Sequence, residues 1–326
     1  MTDAPRTNPE SLLFEADACQ NAVAVVARPD LSVVHVRGDD HESWLNGQVT
    51  NDVRKAAQHT SVYGLSVNVR GKIQSDLYVM RSSPERLDLI LPSSSKAGVL
   101  ESFERYIIME DVVLEESTTS HVLALVGPHA QRVAEALEKT RPSLQWTAAQ
   151  LIEPTDVLVI DTQAESDALL ADATRLAEEL GGGRAHTAGY ELARIRRGTP
   201  SFPNDFDDTN YPQEAGLYHA VSFQKGCYLG QEVVCTLENR GKLSRRLCLL
   251  EASGVEAKEL PPRAQLTTTE GQGVGELRSQ VFDPRQGLLR AFAYVKRAHT
   301  TPDTRLQAGA AVLRVVQVVG DATSAP

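Results

Sequence analysis

The chain has 326 residues, a formal net charge of −10, 41% hydrophobic and 23% charged residues and few aromatics, the composition of an ordinary soluble globular protein too long for one core, so two or three domains are expected. The acidic balance argues against stable, sequence-independent binding to nucleic acid. No apolar run is long enough to cross a bilayer, and the polar Met1–Glu10 segment lacks the apolar stretch of a signal peptide, so a cytoplasmic protein with frayed ends is expected.

Taken in chain order, residues 1–20 read as a disordered N-terminus. Leu31–Arg37 alternates as a strand and stops at Gly38. Asp39 with Glu42 has capping-box spacing for a short helix through Trp44 and Leu45. The polar string Asn46–Asp52 that follows is rich in donors and acceptors and is held as secondary site material. Val62–Val69 and Ile73–Arg81 read as strands joined by a hairpin turn at Arg70-Gly71-Lys72. Leu87–Leu91 is a further strand ended by Pro92, and Ser93–Ser95 offer caps for a helix carrying Leu100, Phe103 and Ile107 on one face. Pro128 opens another helix, and Ser166–Leu180 forms one ended by Gly181-Gly182-Gly183. After Gly241 the texture turns β-rich at Leu247–Ala252, Gly275–Phe282, Leu288–Lys296 and Ala311–Val319, which predicts a small antiparallel barrel. The fold class is therefore α+β, with no glycine-rich nucleotide loop.

The most informative run is Lys225-Gly226-Cys227-Tyr228-Leu229-Gly230-Gln231-Glu232. It sets a thiol two positions from an ammonium, which favours a thiolate, and between glycines that admit close approach to the main chain. A tight turn with an inert cysteine is the plain alternative. A helix from Gly230 toward Gly241 is expected, with Gln231 and Glu232 in its first turn, where a carboxylate suits the helix dipole in any case. Of the four cysteines, Cys235 and Cys248 are expected to be buried and Cys19 lies in a poorly patterned segment. None forms a CxxC pair, so neither disulfides nor a closed metal site within the chain is expected. Arg194, Arg196 and Arg197, and likewise Arg240, Lys242, Arg245 and Arg246, read as solvated faces or carboxylate and phosphate clamps.

This run resembles the signature of the YgfZ-type folate-binding proteins, known as tRNA-modifying proteins and related to the aminomethyltransferase (T-protein) of the glycine cleavage system. Gly47–Val53, Gly71–Leu77, Arg197–Pro200, Pro212–Glu214 and Val221–Phe223 fall in family order. The resemblance implies a three-domain aminomethyltransferase-like cloverleaf around a central channel that binds tetrahydrofolate. It divides the chain into a folate-binding region of two subdomains over 21–240, a barrel over 241–320 and a tail over 321–326. It also implies a part in the synthesis or repair of iron–sulfur enzymes, including those that thiolate tRNA, with such enzymes or their assembly proteins as partners.

On this reading Cys227 and Lys225 carry the chemistry. Tyr63, Lys72, Gln74, Asp76, Gly226, Tyr228, Gly230, Gln231 and Glu232 line the folate site. Glu232 or Gln231 would meet the aminopyrimidine edge, and Lys72 or Lys225 the anionic tail. Aligning the relatives' paired aspartates on Gly71–Leu77 puts Ser75 where a working carboxylate is expected, which disfavours glycine cleavage. A folate-dependent aminomethyl or methyl transferase and a non-catalytic adaptor of iron–sulfur assembly remain as alternatives.

Overall fold

A computed structural model of the protein describes residues 8–162, 166–240, 243–254 and 260–321, the side chains of 239 and 240 excepted. The boundary expected at Gly241, and Lys242 and residues 322–326, lie outside the described residues. Two compact units form. One is built from Met1–Pro29, Thr119–Arg197 and Asp283–Gly287, the other from Asp30–Thr118, Gly198–Phe282 and Leu288–Pro326. No described helix is long and apolar enough to cross a membrane.

The first unit is a five-stranded sheet in the order β10(Gly183–Ala185), β1(Ala24–Ala27), β7(His121–Val126), β9(Val157–Asp161), β8(Leu144–Ala148). Its apolar strands pack Val23, Val25, Leu123, Leu125 and Val159 against helices α4(Ala130–Thr140) and α5(Ser166–Glu178). Pro128 lies just ahead of α4 rather than opening it, since His129 occupies the N-cap. Residues 9–20, expected to be disordered, belong instead to helix α1(Pro9–Asn21). Asn8 accepts from the Glu10 amide and Pro9 starts the first turn. The helix then buries small residues, Ala16, Ala18 and Cys19, together with Glu15, whose carboxylate accepts from the backbone and ring nitrogens of His186. Small residues and a buried acid leave no apolar stripe to read. The arginines of α6(Thr187–Arg197) are carboxylate clamps: Arg194 on Glu191, Arg196 on Asp283, Arg197 on Glu153.

The second unit holds a five-stranded sheet, β3(Val62–Val67), β4(Ile73–Ser83), β5(Arg86–Pro92), β2(Leu31–Arg37), β6(Val113–Glu116), and a closed barrel of β11(Arg245–Ser253), β14(Leu288–Lys296), β13(Gly273–Asp283), β12(Gln265–Thr267), β15(Arg305–Ala308) and β16(Ala311–Val318). The barrel strands alternate, so Cys248, Leu250, Leu266, Leu277, Ala291, Ala293 and Leu313 fill its interior. On one face of the sheet, Val34, Val36, Leu77, Val79, Leu87 and Leu89 meet Trp44 and Leu45 of α2(His41–Gln48) and Val99, Leu100 and Phe103 of α3(Ser93–Glu104). Asp39 does not cap α2; Asp40 is the N-cap residue and turns its carboxylate to the Asp111 amide. The α+β class with a C-terminal antiparallel barrel is as expected.

Candidate functional site

The hairpin between β3 and β4 turns at Asn68–Gly71, with Gly71 at φ +71° and the Asn68 side chain accepting from the amides of Arg70 and Lys72. Pairing runs Tyr63 with Tyr78, Leu65 with Asp76 and Ser66 with Ser75, then slips so that Val67 meets Ile73. Gln74 is thereby the extra residue of a bulge. Residues directly opposite across a ladder share a face, which sorts the predicted site residues into two groups. Ser75, fully buried, lies on the helix-covered face, its hydroxyl against that of Ser95 on α3 at 2.7 Å. Gln74 is turned the same way by the bulge and accepts from Ser66 and Ser102.

Tyr63, Asp76 and Tyr78 lie on the opposite face. The Tyr63 hydroxyl donates to the Asp76 carboxylate at 3.0 Å, its ring meets Tyr78 at 4.9 Å, and His219 stacks on it at 5.5 Å with planes 13° apart. The alternation sets Asp76 beside Tyr63 and turns Ser75, the position aligned with the relatives' working carboxylate, into the core.

The 225–232 run is a strap with an exposed crest. Lys225 is 7% exposed and its ammonium donates to the carbonyls of Asn46, Val49 and Asn51, the last two at 2.8 Å. Burial pushes its pKa down to about 8, against the opposing pull of Asp52. All three of its donors are used, so it cannot meet an anionic tail, and its role is to hold the Asn46–Asp52 string in place. Tyr228 anchors the other side of the crest, buried with Leu65, Val67, Ile73 and Phe206, and the Leu229 amide donates to the Gly47 carbonyl. Between these anchors Gly226 and Cys227 are exposed.

Gly230 sits at φ +77°, where a Cβ would lie 2.5 Å from the Asn68 carbonyl, so the hairpin turn is closed against the strap by a residue only glycine can supply. Gln231 then begins α7(Gln231–Arg240), and Glu232 is exposed in its first turn. Lys72 is committed to a neighbouring group: its nitrogen donates to the Thr209 carbonyl at 2.9 Å, stands 3.3 Å over the Tyr211 ring and lies 3.8 Å from Glu214. Burial lowers its pKa, with Glu214 opposing.

The other thiols differ from Cys227. Cys19 and Cys248 are buried, and burial pushes each up to about 12. Cys235, expected to be buried, is partly exposed on α7, and its pKa is raised by burial and then by Glu238. Among the described residues no group of three His, Cys, Asp or Glu is placed to hold a metal ion.

Thr50 and Asn51, from the polar string held as secondary site material, and His219, which carries no sequence signal, join the two halves. The Asn51 side chain donates to the carbonyls of Tyr63 and His219, at 2.8 and 3.1 Å. Thr50 donates to the Ala220 carbonyl and accepts from the Leu65 amide. Asn51 thus ties the loop gripped by Lys225 to the Tyr63 and His219 backbones. The His219 ring is reached by solvent, while the protein around it disfavours the imidazolium and lowers its pKa.

A carboxylate on a tyrosine, flanked by stacked rings and tied to a strap that presents a thiol, sits on a scaffold of the aminomethyltransferase type. The fold matches the glycine cleavage aminomethyltransferase T of Bartonella henselae with a TM-score of 0.81 over 96% of this chain and 90% of that one, at 19% identity. Residues 5–162 match the GCVT N-terminal domain family. The tRNA-modifying protein YgfZ of Vibrio atlanticus is 26% identical over 76% of this chain and 76% of its own length. An aminomethyltransferase of Thermotoga petrophila is 24% identical over 88% of this chain and 82% of its own. The chain is thus similar in sequence to proteins named tRNA-modifying protein YgfZ and aminomethyltransferase, and shares the fold of aminomethyltransferase T.

Proposed function

We propose that this protein binds a reduced folate, tetrahydrofolate or a one-carbon derivative, against the Tyr63, Tyr78 and His219 rings. The observation that carries the reading is the Tyr63–Asp76 pair on the face opposite Ser75. The donor set suits the ring end of such a ligand: a carboxylate for an aminopyrimidine edge and aromatic faces for a pterin. The tail would need a basic group other than Lys225, whose donors are all used. When bound, a reduced folate supplies a one-carbon carrier. The chain's own contribution is to fix Asp76 through the Tyr63 hydroxyl, to hold the 46–52 string with Lys225, and to expose Cys227 between the anchored residues Lys225 and Tyr228. The relatives' name, tRNA-modifying protein, and this exposed thiol support a part in tRNA modification; that the part lies in making or repairing iron–sulfur enzymes that thiolate tRNA, with Cys227 as the working nucleophile or transient ligand, is our extension from the resemblance of the 225–232 run.

Calorimetry with 5-formyltetrahydrofolate tests the ligand. Asp76→Asn and Tyr63→Phe should each weaken binding by about tenfold, the loss expected for one charge-assisted hydrogen bond, while Ser75→Ala should leave it unchanged. Equal affinity in all three variants would remove the reading. A second reading, folate-dependent aminomethyl transfer, is favoured by the retention of Asp76 on the Tyr63 face, since a carboxylate is present to stabilise a developing cation. Turnover of an aminomethyl donor that Asp76→Asn abolishes would promote it over the first.

A further inference from the structure

A cleft of about 460 Å³ opens in the second unit between α3, the β4 end of the hairpin and the segment 202–208, lined by Gln74, Asn68, Gly98, Phe202, Pro203 and Asp208 among others. Gln74 enters it from the helix-covered side of the sheet, while Phe202 on its other wall packs against the cluster of Leu65, Val67, Ile73 and Phe206. We propose that it is a second ligand pocket, for a planar heteroaromatic ring with an aminopyrimidine edge, the chemistry shared by nucleobases and pterins.

The volume is within the range of small-molecule pockets. Its polar groups are oriented before any ligand arrives. The Gln74 oxygen is held by the hydroxyls of Ser66 and Ser102, which leaves its NH₂ as the free end. The Asn68 oxygen takes the amides of Arg70 and Lys72, which frees its NH₂ likewise. Two amide donors suit the ring nitrogen and carbonyl acceptors of such a heterocycle.

Two carboxylates border the cleft. Asp207 is neutralised by Arg278 at 2.9 Å and Arg263 at 3.3 Å. Asp208 is exposed and makes no ion pair with a described residue, so it is the acceptor for an exocyclic amine. The Phe202 ring, fixed edge-on against Phe206 at 5.8 Å, and Pro203 supply the apolar wall for the ring face. A phosphate or carboxylate ligand is disfavoured by the same two acids. A simple amine would leave the amide donors and the aromatic wall unused.

Gly98 makes the proposal testable without endangering the fold. It is an α3 residue with nothing within 4 Å of where its Cβ would stand, so Gly98→Leu projects into the cleft and improves helix propensity. Guanosine, adenosine, cytidine and 6-hydroxymethylpterin are titrated into the full chain by calorimetry. At least one should bind with a dissociation constant below about 1 mM, weakened at least about tenfold by Gly98→Leu and severalfold by Asp208→Asn. The thermal midpoint of Gly98→Leu should equal or exceed that of the wild type.

Binding of a nucleoside but not the pterin assigns the pocket to a nucleobase, and the reverse assigns it to a pterin. Loss of 5-formyltetrahydrofolate binding in Gly98→Leu supports the pterin source and moves the folate away from Tyr63. Failure of all four compounds at about 1 mM, or binding indifferent to Gly98→Leu, overturns the proposal and leaves the Tyr63 reading untouched.

Discussion

Lys225→Met removes the ammonium while keeping most of the apolar stem, and its cost follows from the three carbonyls it abandons. Those of Asn46, Val49 and Asn51 converge on one nitrogen at a 7% exposed residue. Hydrogen bonds to a charged group contribute about 1.5–3 kcal/mol each, and an acceptor left unpaired in the interior costs about 1–3 kcal/mol. Some of that is offset because burial already disfavours the ammonium, as its pKa of about 8 records, and because water reaches the loop once the nitrogen is gone. A net loss of about 3 kcal/mol remains, about 1 kcal/mol for each neutral carbonyl left without its donor.

Lys225→Arg should not rescue it, because a planar guanidinium spreads its donors over a fork and cannot focus them on three carbonyls around one point. Urea unfolding followed by tryptophan fluorescence and by far-UV circular dichroism measures the loss. Alkylation of Cys227 in the native variant shows whether the crest has come loose. A destabilisation under about 1 kcal/mol for Met, or full recovery with Arg, would refute the clamp.

Tyr228→Phe should be neutral or stabilising by up to about 1 kcal/mol, because the buried Tyr228 hydroxyl has no hydrogen-bond partner and its removal relieves a desolvation cost; a loss above about 1 kcal/mol in urea unfolding would reveal a partner bound there. Gly230→Ala combines a left-handed backbone with a Cβ 2.5 Å from the Asn68 carbonyl and should cost at least about 2 kcal/mol, read as a lowered thermal midpoint, whereas Gly226→Ala, with open space around it, should be nearly silent. For Asp207, burial alone would raise the pKa, but hydrogen bonds from Thr209 and the Arg278 charge outweigh it and hold the carboxyl down to about 2 from 3.8. A depressed carboxylate stabilises the fold above its unfolded pKa and loses that contribution as pH falls through its folded one, so the deficit of Asp207→Asn, at most about 2 kcal/mol after screening, should shrink between about pH 4 and pH 2; a deficit constant over that window would contradict the assignment.

The sequence disclosed the parts of this molecule whose signals are local. The barrel strands alternate apolar and polar residues, and the Cys227 run stood out because lysine, cysteine, glutamine and glutamate have no packing reason to gather. Where the reading failed, the missing quantity was spatial. Gln74, expected to line one site with Tyr63 and Asp76, is turned to the opposite face by a bulge that no local pattern shows. Lys225 reads as an activator of the thiol two positions on, yet its partners are carbonyls 174–179 residues earlier in the chain. His219 carries no motif of its own and Asn51 is legible only as part of a polar string; their importance comes from stacking on, and bonding to, Tyr63. The α1 helix escaped notice because alanine, cysteine and a buried glutamate leave no apolar stripe.

That separation also bears on how the protein is made. The β3–β4 hairpin and α2 leave the ribosome early, but the ammonium that fixes the loop between them is translated about 174 residues later. At roughly 5–20 residues per second, the wait is on the order of 10–35 s. During it the three carbonyls of the loop face water and the Asn51 bridge has no His219 to reach. The Tyr63 face is therefore completed only after residue 225 arrives, and a nascent chain halted before it would carry a finished hairpin whose Tyr63 face lacks its His219 and Lys225 contacts.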